Sequence, residues 1–206
     1  MAAVGRVLRM IERQVDLATP DGTMPTFLFH PQEGGPHPVV LYLMDAPSIR
    51  PALRDMASRL ATAGYYVMLP YLYYRGGPYR EFTQSDEDMH ARQDLMKTVT
   101  TTTIVPDARA MLDFAAQDPA ARDGAVGAVG FCMSGRLAMA CAQMMPDRFT
   151  AAASIHGAWL VDDTPASAHR NIDRIKAELY FGWADKDATA PPEHVPVMEQ
   201  ALQAAG

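Results

Sequence analysis

Cys132 is the residue of this sequence best placed for chemistry. It stands in the segment G-F-C-M-S-G (130–135), between an apolar stretch and a helix-forming one. A strand that turns sharply into a helix through small residues is typical of a nucleophile elbow, and Gly130 and Ser134 lie two places before and after the cysteine. A helix N-terminus lowers the pKa of a thiol, and the Met133 amide would face a developing oxyanion. We therefore expect Cys132 to be a nucleophile.

Other assignments for these residues remain open at this stage. A free cysteine is most often a buried core residue, and Cys132 could be one. Cys141 lies nine residues further on, about 13 Å along the same helix, too far from Cys132 for a disulfide. We expect Cys141 to be structural. Ser134 is a weaker candidate nucleophile.

The surrounding pattern predicts an α/β protein with a mostly parallel central sheet covered by helices on both faces. Short apolar runs alternate with helical stretches. An N-terminal antiparallel hairpin is predicted around the turn at 20–22. The expected strands are 14–17, 24–29, 39–44, 66–70, 125–130, 151–155 and 179–183, and the expected helical stretches are 50–63, 86–117, 136–145 and 191–204. Within 86–117, Pro106 marks a break or the first turn of a new helix. In such sheets, ligands bind beyond the carboxyl ends of the strands.

Composition excludes several classes of protein. The chain has 206 residues and a formal charge of −6, from 18 Lys and Arg and 24 Asp and Glu. The absence of a basic excess disfavours nucleic acid as a partner, and no apolar run approaches the roughly 20 residues that span a membrane. Arginines interrupt the N-terminus, so we expect no secretory signal and a cytoplasmic location. We also expect one domain over 1–206, a small-molecule substrate, no metal and no cofactor.

Four segments of the sequence resemble the dienelactone hydrolases, cysteine members of the α/β-hydrolase superfamily. G-F-C-M-S-G-R-L-A is similar to their nucleophile motif, and Y-L-M-D-A-P-S-I-R-P to their segment after the third strand. A-S-R-L-A-T-A-G-Y-Y-V-M-L-P-Y-L-Y-Y-R-G-G is similar to the following helix, strand and loop. E-L-Y-F-G-W-A-D-K-D-A-T-A-P-P-E is similar to their acid-bearing strand end. The resemblance covers residues 10–206 and implies hydrolysis of lactones or small carboxylate-bearing esters through a cysteine thioester.

The resemblance also assigns roles to individual residues. It implies that Asp187 is the acid of the catalytic triad, with Asp185 as the alternative. It places Asp45 next to the resting cysteine, where the family has a glutamate, and makes the Ala46 amide the second oxyanion donor.

Two residues of the loop after the fourth predicted strand complete the implied site. Arg75 matches the family's arginine that binds a substrate carboxylate, a role suited to its two parallel donors. Tyr74 is a weaker candidate for the same role.

The triad histidine of this family has no clear counterpart in the sequence. It should follow the acid after one more strand, yet His194 alone follows Asp187, only seven residues later. His156, at a predicted strand end, is the best placed of the earlier histidines, and a rim role is expected for it. We expect the chain to be C-terminally incomplete, with the last strand and helix missing. The alternatives are a non-catalytic or low-activity relative that binds small carboxylates and, less favoured, a thiol redox protein.

Overall fold

A seven-stranded sheet runs through the computed structural model, which describes residues 9–206. The strands are β1 (Met10–Thr19), β2 (Gly22–Pro31), β3 (His37–Leu43), β4 (Tyr66–Pro70), β5 (Ala121–Phe131), β6 (Phe149–Ile155) and β7 (Glu178–Gly182). The helices are α1 (Pro51–Thr62), α2 (Asp86–Met96), α3 (Ile104–Ala115), α4 (Gly135–Met144) and α5 (His194–Ala205). The first eight residues, on which the expected lack of a secretory signal partly depends, lie outside the described residues.

The strand order β1-β2-β4-β3-β5-β6-β7 confirms the predicted mixed sheet. β1, β2 and β4 pair antiparallel, and β4, β3, β5, β6 and β7 pair parallel. The hairpin forms at the predicted turn, and the turn itself is only two residues long because Thr19 pairs with Gly22. Gly22 has a φ of 135°, a conformation that disfavours a side chain. Leu41, Val67 and Met68 of the central strands are fully buried, as their continuous apolar runs indicate.

The parallel half of the sheet positions the candidate site. β3, β5, β6 and β7 are neighbours, and their carboxyl ends lie at one edge. Asp45 follows β3, Cys132 follows β5, His156 follows β6 and Asp187 comes after β7. Residues far apart in sequence therefore meet beyond this edge, the usual position of ligands in such sheets.

The prediction that Pro106 marks a break or a new first turn within 86–117 is confirmed. This stretch is divided into α2 and α3, and Pro106 lies in the first turn of α3, where its missing N–H costs no hydrogen bond. Short 3₁₀ helices at Leu72–Gly76 and Ala168–Arg174 were not predicted. Over residues 9–206, no helix combines the length and apolar character needed to cross a membrane.

Candidate active site

The sharp elbow expected around Cys132 is present at the end of β5. Cys132 has a φ of 53°, a conformation uncommon for a residue with a side chain and typical of a strained functional turn. A Cβ atom at Gly130 would lie 1.9 Å from the backbone oxygen of Ser134, and one at Gly135 would lie 2.7 Å from the Cα of Gly157. The turn is so tight that both positions require glycine. The small residue that matters after Cys132 is therefore Gly135 as well as the predicted Ser134.

Two main-chain amides face the thiol of Cys132. The backbone N–H groups of Met133 and Ala46 both donate to it, and both interactions favour the thiolate. The net pKa of Cys132 is nevertheless raised, chiefly by burial and further by the negative charges of Asp45 and Asp187. The amides at the helix N-terminus favour the thiolate as expected, but burial and the two carboxylates outweigh them, so the net pKa is not lowered.

The elbow is fastened to two neighbouring segments. The fully buried hydroxyl of Ser134 donates to the backbone oxygen of Met44, directly after β3. The backbone N–H of Ala158, in the loop after β6, donates to the Cys132 oxygen at 3.0 Å. Ser134 is thus committed to a structural hydrogen bond, which removes it as a candidate nucleophile.

Asp45 lies within electrostatic range of the thiol but is held by an arginine. Arg50 donates to both of its carboxylate oxygens, at 2.6 and 2.7 Å. The same arginine donates to the backbone oxygen of Ser48 at 2.9 Å, which fixes the loop between β3 and α1. Asp45 therefore acts on Cys132 through its charge, which raises the thiol pKa and that of Tyr42.

Asp187 lies in the loop after β7. Its Oδ1 accepts hydrogen bonds from the backbone N–H and hydroxyl of Thr189, at 2.8 and 2.7 Å, and these bonds lower the carboxyl pKa. Asp187 influences the pKa of Cys132, whereas Asp185 is exposed and does not figure among the groups that act on it. This placement favours Asp187 over Asp185 as the acid near the nucleophile.

The described histidines form no hydrogen bond with Asp187. The charge of His156 lowers the pKa of Asp187. The exposed ring of His156 lies 6.3 Å from the ring of Phe131. His194 begins α5, with Nδ1 buried and unpartnered, and its charge acts on His169. Within residues 9–206, no group of three or more His, Cys, Asp or Glu side chains could hold a metal ion.

Comparison with known proteins agrees with this architecture. The dienelactone hydrolase family model matches residues 24–206. The chain belongs to the dienelactone hydrolase family. A Synechocystis relative, provisionally named carboxymethylenebutenolidase, is 28% identical over 91% of this chain and 80% of its own length. A Pseudomonas carboxymethylenebutenolidase is 33% identical over 50% of this chain and 44% of its own length.

The structure of a provisionally assigned dienelactone hydrolase from Klebsiella pneumoniae has the same fold. It superimposes with a TM-score of 0.83 and 24% identity, over 96% of this chain and 82% of the other. Family membership and fold thus agree with the motifs in the sequence.

Arg75 is not placed as this family resemblance implies. All three of its guanidinium nitrogens are engaged: Nη1 and Nη2 donate to the two oxygens of Asp107 at 2.9 and 2.8 Å, Nε donates to Asp21 at 2.8 Å, and Nη2 also donates to the Thr103 oxygen. Burial would lower the pKa of Arg75, but the bonds to Asp107 and Asp21 raise it overall. The predicted substrate-binding role is therefore corrected to a structural ion pair.

Tyr74 belongs to the same cluster. Its hydroxyl donates to Asp107 at 2.7 Å and lies 2.8 Å from the hydroxyl of Thr19 in the hairpin. Its ring contacts the Arg75 guanidinium. Asp107 is buried in α3, so it needs these partners to offset its desolvation. Neither Tyr74 nor Arg75 is free to bind a substrate in this arrangement.

Tyr73, which no sequence pattern singles out, contacts both residues whose backbone N–H groups face the thiol. Its buried hydroxyl donates to the backbone oxygen of Ala46 at 2.9 Å and lies 3.5 Å from the sulfur of Met133. Burial raises the pKa of Tyr73, so the hydroxyl stays protonated and remains a donor. An apolar run that ends in three tyrosines is a weak signal, and it could not have distinguished Tyr73 from Tyr74.

Proposed function

We propose that this chain hydrolyses lactones or small carboxylate-bearing esters through a thioester on Cys132. The observation that carries the proposal is the pair of main-chain N–H groups, from Met133 and Ala46, that face the sulfur at the carboxyl end of the sheet. Such a pair suits the oxyanion of an acyl-transfer reaction. The carboxymethylenebutenolidase names of the relatives support a lactone as substrate.

The first half of the reaction forms the thioester. The Cys132 thiolate adds to the carbonyl carbon, and the carbonyl electron pair moves onto oxygen, where the Met133 and Ala46 amides stabilise it. When the carbonyl re-forms, the C–O single bond of the lactone or ester breaks and its oxygen takes a proton. Burial and the Asp45 and Asp187 charges keep the resting thiol largely protonated, so this step requires its deprotonation.

The second half releases the acid. Water adds to the thioester, the S–C bond breaks and the thiol is restored. This step requires a base to remove a proton from water, and we propose that Asp187 orients that base. Losing a general base typically costs about 10²–10⁴-fold in rate.

A low-turnover relative is the second candidate function. The observation that favours it is that, within residues 9–206, no histidine nitrogen is hydrogen bonded to Asp187. In this case the 206-residue chain becomes acylated on Cys132 and releases the acid slowly.

A burst experiment with 4-nitrophenyl acetate tests both candidates. We expect one equivalent of nitrophenolate per chain, one acetyl group on Cys132 by mass spectrometry, and then slow release. Cys132→Ala should abolish the burst, and the matched control Cys141→Ala should retain it. A burst that survives in Cys132→Ala would contradict the thioester. Rapid sustained turnover that requires Cys132 would contradict the low-turnover candidate and make His156→Ala the next variant to test.

A further inference from the structure

A cavity of about 340 Å³ lies beside the elbow and has no role in the mechanism above. Its walls include Met133 of the elbow, Arg136 of α4, Trp159 of the loop after β6, Lys97 at the end of α2, and Asp162. Because Arg75 is enclosed in an ion-pair cluster, a carboxylate in the substrate would need a different cation near the nucleophile.

Arg136 is a cation without a carboxylate partner among the described residues. Its Nε is buried and has no hydrogen-bond partner in residues 9–206, and its Nη2 makes one long bond, at 3.4 Å, to the backbone oxygen of Val99. Burial lowers the pKa of Arg136, and the more distant charge of Asp162 only partly offsets this. By contrast, Arg50 and Arg75 are each paired with a carboxylate. A desolvated and unpaired guanidinium destabilises a fold, and a bound carboxylate would offset that cost.

The indole of Trp159 holds the Arg136 side chain against this wall. The guanidinium carbon lies 5.1 Å from the ring centroid, within the range of a cation–π contact. Trp159 has a φ of 54°, and its backbone N–H donates to the oxygen of Thr189 at 3.1 Å. The Trp159 backbone is therefore tied to the residue that hydrogen bonds Asp187, which links the cavity to the candidate active site.

Two wall residues of the cavity, Met133 and Trp159, belong to the segments around Cys132. Met133 is adjacent to Cys132, and Ala158, which bonds to the Cys132 oxygen, is adjacent to Trp159. Arg136 follows Cys132 by four residues and lies in the first turn of α4, which begins directly after the elbow. An acyl group on the sulfur therefore lies next to the segment that carries Arg136.

We propose that Arg136 binds the carboxylate of the substrate, and that the preferred acyl group carries this acid a few bonds from the reacting carbonyl. The inference rests on the proposed function and specifies its substrate class. A guanidinium can donate two parallel hydrogen bonds to a carboxylate. Lys97 contributes a second positive charge, although it is paired with Asp94. The negative charge of Asp162 opposes the binding of a carboxylate. The Oδ1 of Asp162 already accepts hydrogen bonds from the backbone N–H and hydroxyl of Thr164.

Two esters of matched length test the proposal: mono-4-nitrophenyl glutarate, which carries the second acid, and 4-nitrophenyl pentanoate, which does not. The measurement is the acylation rate of Cys132 from the nitrophenolate burst. We expect Arg136→Gln to slow acylation by the glutarate ester roughly ten- to a hundred-fold, the loss typical of a hydrogen bond to a charged group. The pentanoate rate should change less than about twofold, because that chain makes no such bond. Arg136→Lys should restore part of the rate, and Arg148→Gln, at an exposed arginine, is the matched control.

An equal loss with both esters would show that Arg136 is only structural, and no loss with either would remove it from the site; both results overturn the proposal. Free glutarate gives a second readout, protection of Cys132 from iodoacetamide. If neither ester acylates Cys132, the proposed function fails and protection alone decides the inference. Protection lost in Arg136→Gln supports the subsite, whereas equal protection in both proteins, or none in the wild type, overturns it.

Discussion

Replacing Gly130 by alanine tests whether the elbow depends on a close backbone contact. The added Cβ would lie 1.9 Å from the backbone oxygen of Ser134, 2.4 Å from its carbonyl carbon and 2.9 Å from the nitrogen of Gly135. All three atoms belong to the backbone, so no side chain can rotate away and the turn itself must shift. Gly127 of the same strand is the matched control, because its added Cβ would meet Val40 at 3.5 Å, an ordinary van der Waals contact.

The magnitude follows from this geometry. Overpacking typically costs about 1–3 kcal/mol, and we expect Gly130→Ala to lie at the upper end, near 3 kcal/mol, because backbone must move. For a chain of this size each kcal/mol lowers Tm by about 2–4 °C, so the expected loss is about 6–12 °C. Movement of the Met133 amide should also slow acylation of Cys132 by about 10²–10³-fold, the usual loss for one oxyanion donor.

Urea unfolding and the nitrophenolate burst measure these two effects. Gly127→Ala should stay within about 0.5 kcal/mol of the wild type and acylate normally. The reasoning would be refuted if Gly130→Ala matched Gly127→Ala in stability and also retained a normal burst, since the elbow would then tolerate a side chain at its tightest point.

Two further predictions concern the charges of the described residues. Asp107→Asn should lower the free energy of unfolding by about 1.5–3 kcal/mol, the range for a lost hydrogen bond to a charged group, because Arg75 then keeps only Asp21 as a carboxylate partner; a loss below about 1 kcal/mol in urea unfolding would contradict the buried ion pair. The rate of Cys132 alkylation by iodoacetamide should keep increasing with pH beyond about 8.5, the ordinary pKa of a thiol. The reason is that the raised pKa of Cys132 keeps the thiolate scarce at neutral pH. Asp45→Asn and Asp187→Asn should each move this profile to lower pH by removing a negative charge, and an unchanged or upward shift would argue against their action on the thiol.

The sequence predicted the elements that are formed by local patterns. β4 has the predicted bounds, Tyr66–Pro70, because an apolar run that follows a helix-ending Gly64 and ends at a proline is unambiguous. The position of Cys132 was predictable for a similar reason: a strand, small residues and a helix follow one another directly in sequence. Asp187 was selected from the family resemblance, and its effect on the thiol agrees with that choice.

The properties that depend on distant partners could not be predicted. The role of Arg75 is decided by Asp107, 32 residues away in α3, and no local pattern indicates that this carboxylate is buried against it. The direction of the Cys132 pKa depends on burial and on charges from the ends of β3 and β7, whereas the sequence showed only the favourable helix end. The cavity at Arg136 likewise requires α2, α4 and the loop after β6 to meet.

The bond from the Ser134 hydroxyl to the Met44 oxygen has a consequence for the energy of reorganisation. The two amides at the thiol belong to separate segments, the elbow and the loop after β3, which could otherwise move independently. Ser134 joins these segments, and Tyr73 fixes the Ala46 peptide from the other side. The dipoles are therefore aligned during folding, before any substrate arrives, and in the proposed reaction a developing negative charge would meet a field that needs no rearrangement.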